Sequence, residues 1–185
     1  MAEDARVRKT KQKLSAALVG LLQEKAFSDI TPAQICEKAG INRSTFYRNY
    51  KNITQLKTEM ENKILSGIKW GDVAADSFNA RESAVAQLTY LKENRDLFMA
   101  LSAAGFRESI FDKIRARTIE VARESYDSVP DAPGREEYDN LCVFYISAVV
   151  GLVEDWFMGG MVQSIDALAS FLSPWISDAA DRIGF

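Results

Sequence analysis

Apolar positions along the chain recur at helical spacing almost everywhere, and Val/Ile/Thr alternation is nearly absent. Leu14, Ala17, Leu18, Leu21 and Leu22 fall at i, i+3, i+4, i+7 and i+8, which is the stripe of an amphipathic helix. They predict a first helix from about Thr10 to Lys25. A second helix is predicted to start at Thr31-Pro32, with Thr31 as the N-cap and Pro32 at the first helical position. Its core face is Ile35 with Ala39, and Gly40 ends it because glycine accepts a positive φ. Ile41 then points inward, and Asn42 caps a short third helix, Arg43 to Tyr50. On that helix Phe46 and Tyr50 share a face and face the core. Ser44, Arg48 and Lys51 lie opposite, with Thr45 and Tyr47 on the flanks. Two short helices joined by a tight glycine turn have helix-turn-helix geometry.

Beyond Ile53 the pattern predicts a helical bundle. Leu56, Met60, Ile64 and Ile68 form one face of a fourth helix, and a looser stretch, GDVAADSFNA, follows it. Further helices are expected at about 81–93, 95–104 and 107–126, then a Pro- and Gly-bearing loop at 127–134. The segment LCVFYISAVVGLV, 141–153, carries no charge. A helix apolar all round must be covered all round, so one side is expected to face the bundle and the other a second copy of the chain. Gly159-Gly160 stop it. The last helix starts at Ser164 with the stripe Leu168, Phe171, Leu172, Trp175 and Ala179, and Pro174 is expected to kink or split it. Val149, Leu152, Leu168, Phe171, Leu172 and Trp175 are the candidate dimer residues. The fold class is all-α: a three-helix head, 1–52, on a helical bundle, 53–185.

Charge sharpens the picture. The chain has a formal net charge of -3, yet residues 1–60 hold 11 Lys+Arg against 6 Asp+Glu, and the remainder is net -8. A basic head on an acidic body points to a polyanion met by the head alone. Within it, AGINRSTFYRNYKN, 39–52, packs three aromatics and three cations with no acid. Its outward Ser, Thr, Tyr, Arg and Lys are the donors that contact phosphate oxygens and base edges. Arg6, Arg8, Lys9, Lys11 and Lys13 precede it as a basic arm. That arm reads either as a solvated tail or as a flexible segment lying on phosphates.

Catalytic chemistry finds little support. The chain has no histidine, and its two cysteines, Cys36 and Cys142, lie far apart with no metal-ligand spacing. No Gly-rich phosphate loop, paired-carboxylate motif or nucleophile-base pair is recognisable, so no enzyme activity, metal or cofactor is expected. The polar N-terminus does not read as a signal peptide, and no unbroken apolar run reaches the roughly 18 residues needed to span a bilayer. A cytoplasmic protein with no membrane partner is expected.

Residues 10–56, above all ITPAQICEKAGINRSTFYRNYKNITQL, closely resemble the TetR/AcrR family of bacterial transcription regulators. Gly40-Ile41, Thr45-Phe46-Tyr47, Asn49-Tyr50 and Lys51-Asn52 occupy the family pattern in register. The resemblance covers about a quarter of the chain. It implies that Thr31 and Pro32 meet a phosphate, that Arg43, Ser44 and Thr45 read bases, and that Tyr47 and Asn49 hold phosphates. Where the family usually carries a Lys, two residues after Lys51, this chain has Ile53; Lys51, Lys57 or Arg48 are the residues placed to compensate. The segment FYISAVVGLVEDWFMGG looks like the subfamily that includes the dihydroxyacetone-kinase regulators. The family further implies double-stranded DNA as partner, a homodimer through the last two helices, and a small-molecule effector. Trp70, Phe98, Phe106, Phe111, Tyr145 and Trp156 are candidates for an effector pocket, although aromatics at helical spacing are commonly core. The competing reading is a helical coactivator that docks on a partner protein and binds DNA weakly or not at all.

Overall fold

The computed structural model describes residues 5–68, 78–102, 109–129 and 131–184. Among these the protein is all α-helical, with two short 3-10 turns and no strand. The chain divides into two compact units, one built from residues 1–66 and 96–109, the other from 67–95 and 110–185.

The first unit holds α1 (Ala5–Leu22), α2 (Pro32–Ala39), α3 (Arg43–Asn49), α4 (Ile53–Gly67) up to Ser66, and α6 (Arg95–Ser102) from Asp96. Leu14, Leu18, Ile35, Phe46, Leu56, Ile64 and Phe98 are completely buried in it. Each such side chain contributes roughly 1.5–3 kcal/mol on burial. The α2 core face is Ile35 with Cys36 rather than with Ala39, which is half-buried. Between α1 and α2 the chain makes a 3-10 turn, Phe27–Asp29, and buries Ile30.

The helix α1 begins well before Thr10, which overturns the flexible arm. No Gly or Pro interrupts residues 5–19, and Ala, Arg, Lys and Gln are strong helix formers. The Thr10 hydroxyl donates to the Arg6 carbonyl at 2.9 Å. Arg6, Arg8, Lys9 and Lys13 therefore project from a helix, all exposed.

The second unit holds α5 (Ala80–Glu93), α7 (Ile110–Glu124), α8 (Arg135–Met158) and α9 (Ile165–Ile183). There α5 packs along α9, and α8 packs on both α7 and α9. Tyr138, fully buried, fastens one end: its hydroxyl lies 2.6 Å from the Ala122 carbonyl and 2.9 Å from the Ile183 carbonyl. Burial pushes its phenol up to about 12. The loop between α7 and α8 is pinned by the Tyr126 hydroxyl on the Pro133 carbonyl, 3.1 Å, with Arg135 over the Tyr126 ring.

One expectation changes here. Pro174 does not split the last helix: α9 runs through it as one element. Proline removes the amide that would bond Ser170, and the Ser173 hydroxyl meets that carbonyl instead, at 3.5 Å. On α8, Val143 and Phe144 are exposed. By length and composition α8 is apolar enough to cross a membrane. Its Tyr138, Cys142, Tyr145 and Ile146 are buried within the second unit.

Candidate functional site

Local chemistry fixes the helix-turn-helix. Gln34 N–H donates to the Thr31 hydroxyl at 3.3 Å, and Thr31 N–H donates to the Gln34 side chain at 2.9 Å. That reciprocal pair is a capping box. At the other end Gly40 adopts φ +64°. Ile41 N–H bonds the Cys36 carbonyl at 2.9 Å and Gly40 N–H bonds that of Glu37 at 3.1 Å, which is the Schellman closure. The turn then delivers Asn42, whose carbonyl accepts from Thr45 N–H at 2.9 Å and Phe46 N–H at 3.2 Å. Its side chain makes no cap bond, so Asn42 starts α3 through its backbone alone. Asn52, not foreseen as a cap, accepts from Gln55 N–H at 2.9 Å at the start of α4.

Phe46 and Tyr50 are buried beneath α3, and the opposite side is open. Arg43, Ser44, Tyr47, Arg48 and Lys51 are exposed, while Thr45 and Asn49 are half-buried. Tyr47 is 57% exposed, and its ring meets the edge of buried Phe46 at 5.4 Å. A large phenol standing clear of the core presents its hydroxyl outward. The Asn49 amide turns back and donates to the Thr45 carbonyl at 2.7 Å. Arg48 donates to the Thr45 hydroxyl at 3.0 Å. No acid occurs from Ala39 to Thr58, so this face is a cationic donor surface.

Contacts behind it hold it in place. Lys38 pairs with Glu24 at 2.5 Å, which ties α2 to the turn just after α1 and holds the Glu24 carboxyl below its ordinary value. Gly20 leaves room for this, because a Cβ there would lie 2.7 Å from Lys38 Cε. Tyr50 and Lys11 both engage Glu59 on α4. Lys11 is thereby ion-paired within the unit.

Ile53 sits half-buried as the first residue of α4. Lys57 does not replace a missing cation there. It is half-buried and paired with Glu61, itself buried. A buried carboxylate demands a partner, and that holds Lys57. Lys51 and Arg48 are the exposed cations nearby.

The other expected sites fare unequally. Trp70 and Phe106 lie outside the described residues. Phe98 is buried in the first unit, and Phe111, Tyr145 and Trp156 in the second. Phe111 packs tilted against Phe157, ring centroids 5.5 Å apart, and Trp156 donates to the Gln163 carbonyl at 2.8 Å. These four serve the core. Two open depressions of about 570 and 520 Å³ lie beside the start of α8, around Arg135, and neither is lined by any of those aromatics. Among the described residues no cluster of His, Cys, Asp or Glu could hold a metal ion.

Of the candidate dimer residues, Leu168 and Leu172 are buried in their own unit and are unavailable to a second chain. Val149 and Leu152 are half-buried. Phe171 and Trp175 are 56% and 51% exposed. Sequence reasoning missed Phe144, 62% exposed, and Met158, 49% exposed. The signal was present: both lie on the side of α8 opposite Tyr138 and Cys142 at 100° per residue.

A family model for a transcriptional regulator C-terminal region, of the TetR class, matches residues 79–178. Solved structures share the fold, among them three transcriptional regulators. The "Dihydroxyacetone kinase operon activator DhaS" is 18% identical with TM-score 0.61, covering 91% of this chain and 94% of that one. A TetR transcriptional regulator from Streptococcus agalactiae 2603V is 23% identical with TM-score 0.62, covering 94% and 95%. A TetR-like transcriptional regulator from Rhodococcus sp. RHA1 is 16% identical with TM-score 0.59, covering 91% and 93%. No curated protein matches the chain.

Proposed function

The chain belongs to the TetR family of transcriptional regulators, and from that premise we propose that it is a sequence-specific DNA-binding repressor. It acts in the cytoplasm as a homodimer on a palindromic operator and responds to a small-molecule effector. The observation that carries this reading is the outward face of α3: Arg43, Ser44, Tyr47 and Arg48, all exposed, over the buried pair Phe46 and Tyr50. A recognition helix puts its N-terminal residues against base edges. Arg43, Ser44 and Thr45 then read bases. Tyr47, Asn49, Lys51 and the start of α2 at Thr31-Pro32 hold phosphates, and the exposed cations of α1 add to the electrostatic attraction.

The second copy covers the exposed apolar side chains of α8 and α9, with Phe144, Phe171 and Trp175 as its anchors. Two recognition helices related by a two-fold would read half-sites about 34–36 Å apart. An effector acts only through its differential affinity for the DNA-competent and incompetent states.

One observation favours a second reading. With Ile53 at the head of α4 and Lys57 paired to buried Glu61, a cation is missing where the family usually places one. A coactivator that docks on a partner protein would tolerate that loss. Fluorescence anisotropy separates the two. The intergenic duplex beside the protein's own gene and a scrambled duplex are titrated at low and moderate salt. Tight, steeply salt-dependent binding to the first alone is the expected result. No binding to either at low salt would favour the coactivator.

A further inference from the structure

We propose that Arg48 is a positioning residue for base readout: by donating to one lone pair of the Thr45 hydroxyl, it orients that hydroxyl and biases it toward donating to a base edge. The inference rests on the DNA-binding reading above and names the device that sets its specificity.

The guanidinium carries donors and no acceptor. In the bond between Arg48 Nη2 and Thr45 Oγ1, 3.0 Å, threonine is therefore the acceptor. Its own proton remains to be given elsewhere. In a helix that proton ordinarily goes to a carbonyl one turn back. Thr10 and Thr118 follow that habit, donating to Arg6 O at 2.9 Å and Ile114 O at 2.7 Å. Thr45 accepts instead. Asn49 meanwhile takes the Thr45 carbonyl at 2.7 Å, so two side chains from the next turn grip one residue. Thr45 is half-buried above Phe46 and sits two residues into α3, the part of a recognition helix that meets base edges.

A hydroxyl biased toward donation by a neighbouring cation matches the acceptors of the major groove, guanine O6 and N7, adenine N7 or thymine O4. It disfavours the cytosine and adenine amino groups, which are donors, because one of its two lone pairs is already taken by a cation. Without Arg48 the hydroxyl is free to fold back on its own helix or to accept, and that discrimination goes. This separates Arg48 from a residue that only neutralises a phosphate, whose loss weakens all sequences alike and lowers the salt slope by about one.

The full-length protein and its Thr45→Val, Arg48→Ala, Arg48→Lys and double Thr45→Val/Arg48→Ala variants would be selected against a randomised duplex pool. Each would then be titrated on the enriched duplex and its single-base variants. Both side chains are off the core, and circular dichroism checks that each variant folds. Thr45→Val and Arg48→Ala are expected to flatten the same base pair of each half-site, about tenfold. The double variant should be no worse at that pair than either single one, as coupled residues require. Arg48→Lys should retain both the salt slope and the base preference, since its ammonium is likewise a donor with no acceptor. A uniform loss from Arg48→Ala across all sequences, a different base pair affected, or strict additivity would overturn the proposal and leave the DNA-binding reading intact. Failure of the unaltered protein to enrich any motif would overturn both.

Discussion

The Tyr50 hydroxyl donates to Glu59 Oε1 at 3.0 Å, while Lys11 holds the other oxygen of the same carboxylate at 3.1 Å. One side chain of α4 thus fastens the end of α3 and the first turns of α1. Tyr50→Phe keeps the buried ring and removes only the hydroxyl. It is expected to lower stability by about 0.5–1.5 kcal/mol, the net worth of one such bond, in urea unfolding with an unchanged slope. An unaltered midpoint would show that the hydroxyl contributes nothing to holding the head.

Affinity and preference should separate on α3. Tyr47→Phe leaves the exposed ring on Phe46 and deletes a phosphate donor, so binding should weaken similarly on every duplex. Arg43→Ala and Thr45→Ala should change which duplex is preferred, by about 1–3 kcal/mol at one base pair. Titrations of the three variants against an operator and its single-base changes read this directly. Untouched affinity in all three would remove α3 from the interface.

What the sequence made legible was decided over short distances. The Thr31–Gln34 box and the Gly40 closure use groups within five residues of each other, so residue type and spacing suffice. The opposition of Phe46 and Tyr50 to Ser44 and Arg48 follows from helical geometry alone. Which local partner a side chain takes was less legible, even three or four residues away. Lys57 looked available until Glu61 proved buried, and Pro174 looked like a break until Ser173 met the freed carbonyl. On α9, Leu168, Phe171, Leu172 and Trp175 form one apolar stripe. Which edge of it faces the neighbouring helix depends on where that helix lies, and no local rule supplies that. The basic arm failed differently: a charge run read as a tail is also a run of strong helix formers.

The stripe on α9 gives opposite expectations for neighbouring residues. Phe171→Glu and Trp175→Glu replace exposed rings, so unfolding of the separated chain should move within about 0.5 kcal/mol. Both should shift sedimentation from dimer toward monomer and weaken operator binding. Leu172→Ala empties a buried site and should cost about 2–5 kcal/mol of stability. A Trp175→Glu variant that sediments as the unaltered protein does would place the interface elsewhere.

Stability should vary with pH through a pair bridging α8 and α9. The Tyr145 hydroxyl donates to Asp178, and Arg182 Nε lies 3.1 Å from the other oxygen. The Tyr145 bond, then Arg182, holds the Asp178 carboxyl below its ordinary 3.8. The same bond, then burial, pushes the Tyr145 phenol above its ordinary 10.0. The carboxylate's contribution is present above 3.8 and fades as pH falls through the depressed value. The phenol's is present below 10.0 and fades as pH rises through the raised one. Asp178→Ala should therefore lower the melting temperature most between about pH 5 and pH 9, with the difference closing at both ends. A difference independent of pH would show that the pair does not titrate with folding.

The last residue of α4 leaves no room for a side chain. A Cβ on Gly67 would overlap the Tyr90 hydroxyl oxygen and its Cζ. The obstacle is the body of a ring on α5, which cannot swing aside as a lysine end can. Two effects oppose each other in Gly67→Ala. Helix propensity favours alanine by about 0.5–1 kcal/mol, while overpacking costs about 1–3 kcal/mol. With such overlap the clash should win, giving a net loss in urea unfolding. Tyr90→Leu alone removes the ring and should also destabilise, since it empties a packed site. Combined, the two substitutions should cost clearly less than the sum of the single losses, because each relieves what the other lacks. Additive losses would mean that Gly67 and Tyr90 act separately, and a stabilised Gly67→Ala would mean that the ring does not rest on the glycine.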